Sequence, residues 1–282
     1  MKERLKQFVK LWVDLFDRHL LLDHASAIAF QVLKSLVPLT LFGLALLGGL
    51  GQQKVWRETL FPRIKPHLEQ TTAHAIDAAV QRIFTTSSAG LLAFASLLVI
   101  WYLSGAVRAV MGALNGIYEV EETRSWTVRF PVSFALAVGI AVCLVGAVVV
   151  VAAGPALASH GLAGVVVSIG RWLVAIALLS LAVGLLVRFA PARHRPNRWA
   201  TAGSVLVIVA WIGATLLFEL FVSHVANFKT AVGNLTVFLV LIGYIYTSSI
   251  IFLVGVELDE LLREDAAKGE RGVIDLLFGY GR

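Results

Sequence analysis

The chain has 282 residues, of which 58% are hydrophobic and 15% charged, against about 45–50% and about 25% in soluble proteins. Its mean hydropathy is +0.82; so little charge cannot cover a soluble surface, which excludes disorder, collagen and coiled coil. A net charge of +6 and an isoelectric point near 9.7 in so apolar a chain point to charge bias about a bilayer rather than to nucleic acid. The lone cysteine, Cys143, leaves no disulfide framework and no cysteine metal site.

The first 24 residues carry charge throughout, so they do not read as a cleavable signal peptide. Apolar residues recur at Leu5, Phe8, Val9, Trp12, Leu15, Phe16 and Leu20, with Lys6, Lys10, Asp14 and Arg18 between them. This spacing makes one apolar helical face. It suits a helix lying on the cytoplasmic interface among anionic headgroups, or one packed against the bundle.

Six stretches then reach the roughly 20 apolar residues needed to cross a bilayer. They run over residues 25–50, 89–111, 131–153, 165–189, 201–222 and 235–256. The first contains Lys34 and, four residues later, Pro38, which cannot donate to the Lys34 carbonyl and invites a kink. The loop 51–88 is too long for structureless chain, and Leu68, Ile76, Ala79, Val80, Ile83 and Phe84 predict a helix after Pro66. The second span carries Gly105, Ala109, Gly112 and Gly116 on one stripe, a pattern of close helix contact. Residues 273–278 make a weaker amphipathic segment in the tail. The expected fold class is an all-α integral membrane protein with six transmembrane helices and amphipathic N-terminal and outer-loop helices. Its parts are an interfacial helix (1–24), a membrane domain (25–257) and a tail (258–282).

Orientation follows from the Lys and Arg balance. Fifteen of the 24 lie in the N-terminal segment, the second and fourth loops (Arg193, Arg195 and Arg198 among them) and the tail; five lie in loop 51–88. Both termini are therefore expected in the cytoplasm.

Five ionisable residues in the spans or at their ends are singled out: Lys34, Arg108, Arg171, Glu219 and Glu257. Each is costly against lipid, so each is expected to face protein, water or an interface. Depth suggests an inner group of Lys34, Arg108 and Glu257 and an outer pair of Arg171 with Glu219. Snorkelling and structural ion pairing compete with a functional role. Asn115, Tyr118, Ser223, His224, Asn227 and Asn234 are candidates to line the mouths of the bundle, or simply caps. The seven histidines are dispersed, and no metal, nucleotide-binding or hydrolase motif is present, so neither cofactor nor enzymatic activity is expected.

Several segments together resemble the YihY/BrkB family of bacterial inner-membrane proteins. They are His24-Ala-Ser-Ala-Ile-Ala-Phe30, Leu36-Val-Pro-Leu-Thr40, Leu114-Asn-Gly-Ile-Tyr-Glu-Val-Glu-Glu-Thr-Arg124, Phe221-Val-Ser-His-Val-Ala-Asn-Phe228 followed by Gly233, and Gly255-Val-Glu-Leu-Asp259. Gln31 and Lys34 depart from the aromatic or small apolar run expected there. The resemblance implies a six-helix bacterial inner-membrane protein. Relatives were once labelled ribonuclease BN, and some are linked to envelope lipid traffic and serum resistance.

The residues oppose the nuclease label, since RNA hydrolysis needs a metal cluster or acid–base pair on a soluble face. The expected function is a transporter or flippase-like protein for an amphiphilic anionic lipid or solute, with membrane lipids and no nucleic acid as partners. Lys34 and Arg108 would hold the charge, and Glu257 would limit its affinity. The alternative is a non-transporting scaffold or regulator of envelope proteins.

Overall fold

The computed structural model describes residues 2–86, 89–157, 162–192, 202–224 and 231–268. The basic stretch 193–198, the tail segment 273–278 and Asn227 lie outside them. Every regular element among the described residues is helical. In chain order the α-helices are α1 (Lys2–Arg18), α2 (Leu21–Gly49), α3 (Phe61–Ile64), α4 (Gln70–Thr86), α5 (Ala89–Ile117), α6 (Trp126–Leu157), α7 (Leu162–Phe189), α8 (Ala202–His224) and α9 (Ala231–Lys268).

Six of these, α2 and α5 to α9, are long and apolar enough to cross a membrane. Three outrun the apolar stretches read from the sequence: α5 continues six residues past Met111, α6 begins at Trp126, and α9 runs on to Lys268. Their extra turns carry Asn115, Arg129, Glu257 and Glu260, whose polar groups find partners in the fold. Hydropathy marks where a helix leaves hydrocarbon, whereas hydrogen bonding decides where it ends.

Local stop signals are legible. At the end of α2 the Gln52 amide donates to the Leu47 carbonyl at 2.9 Å and the Gly51 amide to the Gly48 carbonyl at 3.1 Å. Gly51 takes the left-handed φ of 68° that this double closure requires. The end of α5 repeats the closure, Val120 to Asn115 at 2.9 Å and Glu119 to Gly116 at 3.1 Å, but with a glutamate, at φ 49°, in the left-handed place.

The chain divides into two compact units. One comprises the described parts of Met1–Ser26, Val107–Trp211 and Ile250–Arg282; the other comprises Ala27–Ala106 and Ile212–Ser249. In the second, the expected loop helix is α4, and it closes a small core of its own. Leu44 of α2, Trp56, Val80 and Phe84 are buried together, with Leu47, Phe61, Ile76 and Ile83 packed around them. The Trp56 indole donates to Asp77 Oδ1 at 2.9 Å, which satisfies its one polar atom.

In the first unit α6 and α7 lie side by side, with Gly139 opposite Leu185 and Gly146 opposite Leu178. Helices α8 and α9 approach more closely still. A Cβ on Gly203 would overlap the Gly255 carbonyl and stand 2.6 Å from Asp259 Cγ. One on Gly255 would meet Val207 Cγ2 and stand 2.9 Å from the Gly203 carbonyl. On the expected stripe of α5, a Cβ on Gly116 would lie 3.2 Å from His24 Nε2, while Gly112 has nothing within 4 Å.

Candidate functional site

The first unit gathers a dense polar cluster. It is built from the α1–α2 corner, the end of α5, the loop 118–125, the start of α6, the end of α7 and the last turns of α9.

Asn115 is the hub of the loop. Buried to 6% exposure, its Nδ2 donates to Glu122 Oε2 at 3.0 Å, and its Oδ1 accepts the Ala192 amide at 2.8 Å. Arg124 bonds Glu122 through two nitrogens, each at 2.8 Å, and donates to the Ala190 carbonyl at 2.8 Å. The loop therefore fastens the end of α5 to the end of α7, and Asn115 is a positioning residue rather than a free lining group.

The Arg124 hydrogen bonds pull the Glu122 carboxyl from 4.5 down to about 2, helped by the bond from Asn115 and opposed by partial burial. A carboxyl whose folded value is depressed stabilises the fold above its unfolded value and loses that stabilisation as the pH falls through the folded one. Thermal stability in detergent is therefore expected to fall between about pH 4.5 and about pH 2. Glu122→Gln should flatten that part of the profile; an unchanged acid limb in the variant would refute the assignment.

Beside this loop stand two further arginines. The Arg108 guanidinium donates to Ser133 Oγ at 3.2 Å and lies 5.2 Å over the Phe130 ring. Arg129, one helix turn before Ser133, donates to the Arg108 carbonyl at 3.4 Å, and its Nε is 3.8 Å from Glu122 Oε2. Trp126, 66% exposed, stacks on Phe130 at 5.0 Å. Two guanidiniums, Arg124 and Arg129, thus face the Glu122 carboxylate, and Arg129 also reaches the backbone of Arg108.

The remaining ionic contacts lie at the α1–α2 corner and on α9. His19 Nδ1 is 2.9 Å from Glu257 Oε2, and these side chains are 9% and 1% exposed. Arg18 reaches Glu119 Oε1 at 2.6 Å. Arg263 Nε donates to the buried Glu260 at 2.9 Å. Asp259 Oδ1 accepts the Gly203 amide at 2.7 Å, placing negative charge at the first turn of α8.

The other expected site residues are placed differently. Lys34, in the second unit, is exposed, with Nζ 5.2 Å from the Phe30 centroid and 5.5 Å from that of Tyr102. Arg171 lies 5.9 Å over Trp172, and its buried Nε has no hydrogen-bond partner among the described residues. Glu219 is exposed on α8. His224 closes α8, and its side chain lies outside the described set. Within the first unit, the contacts give Glu257 the partner His19. Sequence reasoning missed His19, Arg129 and Glu122. The segment 114–124 was already singled out by resemblance, and its acid-rich run was the available signal.

Six spanning helices with a charged cluster on their extended ends define a multi-pass helical membrane protein. The chain belongs to the family described as Virulence factor BrkB, which matches residues 13–273. It is 26% identical over 262 residues to the Putative ribonuclease-like protein YfkH of Bacillus subtilis (strain 168), covering 89% of this chain and 94% of the relative. No solved structure matches it.

Proposed function

We propose that this is a bacterial inner-membrane protein, both termini cytoplasmic, that moves an anionic amphiphile, a lipid or lipid-like solute, between the leaflets. The observation that carries the reading is the arginine edge. Arg108 and Arg129 stand together where α5 and α6 meet, and Glu122, the carboxylate 3.8 Å from Arg129, is already held by Arg124 and Asn115. Guanidinium forks match phosphate and carboxylate oxygens. The neighbouring Trp126 is of a ring type that settles at headgroup depth.

The test is transbilayer movement in proteoliposomes, read with a fluorescent anionic lipid and a zwitterionic one. The protein should accelerate the anionic probe, and the Arg108→Gln/Arg129→Gln double variant should lose about tenfold in rate, the loss of roughly one charge-assisted contact. A folded double variant that keeps the full rate would overturn the site.

The scaffold reading draws on a different observation: Arg18, Arg124 and Arg263 are each matched to a carboxylate, as structural charges would be. A nuclease reading rests on the printed name of the Bacillus relative. Among the described residues no three of His, Cys, Asp and Glu are grouped to hold a metal ion.

A further inference from the structure

Two non-glycine residues of the described chain hold left-handed backbone, Leu20 (φ 47°) and Glu119 (φ 49°). Such geometry costs roughly 1–2 kcal/mol at each position and collects where the surrounding structure has a use for it. Both flank His19, one in sequence and one in space. His19 immediately precedes Leu20, and Glu119 carries a carboxylate that faces its second nitrogen.

The imidazole is buried between two carboxyl groups of opposite exposure. Its Nδ1 is 2.9 Å from Glu257 Oε2, 1% exposed within the apolar span Phe238–Asp265. Its Nε2 is buried without a hydrogen-bond partner among the described residues and stands 3.7 Å from Glu119 Oε1, whose side chain is 59% exposed. Buried carboxyl groups reached through histidine are the parts from which membrane proton pathways are made, and imidazole can hold a proton on either nitrogen.

We propose that Glu119, His19 and Glu257 form a proton relay that loads and unloads the buried Glu257 carboxyl from the aqueous face. Protonated Glu119 gives its proton to Nε2, either through one bridging water or after a ring movement of about 1 Å. The imidazolium then passes the Nδ1 proton to Glu257 Oε2. One proton enters and one moves on, no electrons change hands, and the reverse sequence restores the starting tautomer.

The charged groups around the relay are named by their contacts. Arg18 holds Glu119 at 2.6 Å. Glu260 and Glu264 add negative charge near Glu257 from the same helix, and Arg263 offsets Glu260. From α2, His24 stands against Gly116 at the end of α5. The relay does not depend on the substrate; its use in driving movement of that substrate rests on the transport reading above.

The experiment is pH-difference infrared spectroscopy on the protein in lipid nanodiscs, with pH-jump kinetics. In difference spectra between alkaline and acidic buffer, wild type should show a protonated-carboxyl band that is absent from Glu257→Gln. Its rise after a pH jump should slow about tenfold in His19→Gln and at least about twofold in Glu119→Gln. A band that survives in Glu257→Gln, a wild type with no titrating band, or unaltered kinetics in both His19→Gln and Glu119→Gln would overturn the relay. If Glu257→Gln fails to fold, the kinetics of Glu119→Gln, altered at an exposed position, decide alone. The band and its kinetics need no lipid movement, so an intact relay in a protein that moves no lipid counts for the relay and against the transport reading.

Discussion

Gly203→Ala is expected to abolish the folded protein. The added carbon would overlap the Gly255 carbonyl and press on Asp259 Cγ at 2.6 Å, where carbon–oxygen contact ordinarily begins near about 3.3 Å. Overpacking against side chains costs about 1–3 kcal/mol because side chains give way. Here the obstacle is backbone, so α8 and α9 must separate, and separation also breaks the Gly203–Asp259 bond. Gly255→Ala should fail in the same way, against the Gly203 carbonyl at 2.9 Å and Val207. Gly112→Ala, with nothing within 4 Å, should be tolerated. Fluorescence-detected gel filtration of detergent extracts checks this: aggregate or no protein for the first two variants, a wild-type peak for the third. A monodisperse Gly203→Ala protein would show that the helices do not cross there.

His19→Leu is expected to have the second largest effect. It leaves the Glu257 carboxylate, 1% exposed, without the imidazole at 2.9 Å. Removing one partner of a buried pair costs about 3–5 kcal/mol, because the survivor keeps its desolvation penalty. The His19→Leu/Glu257→Leu double variant should recover most of that loss, since an apolar pair can replace a buried ionic one. Detergent-based thermal unfolding of the four proteins closes the cycle. Additive losses would mean that the two side chains do not interact.

These predictions show where the sequence was informative. Hydropathy exposed all six spans because apolar length is a local property, and the helix in loop 51–88 was visible from its own periodicity. Pairing is not local. His19 and Glu257 are 238 residues apart, and nothing in either neighbourhood names the other; charge depth alone grouped Glu257 with Lys34. Gly203 and Gly255 fit closely because two helices meet there, while on the more regular stripe of α5 Gly116 is a close contact and Gly112 is not. Arg108 was noticed as a charge inside a span, but Arg129 was counted only toward orientation. It joins Arg108 in the proposed anion-binding edge because α6 starts at Trp126, earlier than hydropathy suggests.

The most direct measurement is native mass spectrometry of the protein released from nanodiscs containing equal anionic and zwitterionic lipid. Retained lipid should be strongly enriched in the anionic species, with the enrichment lost in Arg108→Gln/Arg129→Gln and kept in Lys54→Gln, a basic residue of the other unit. Equal retention of both lipids by wild type, or enrichment that survives the double variant, would contradict the proposed anion-binding edge.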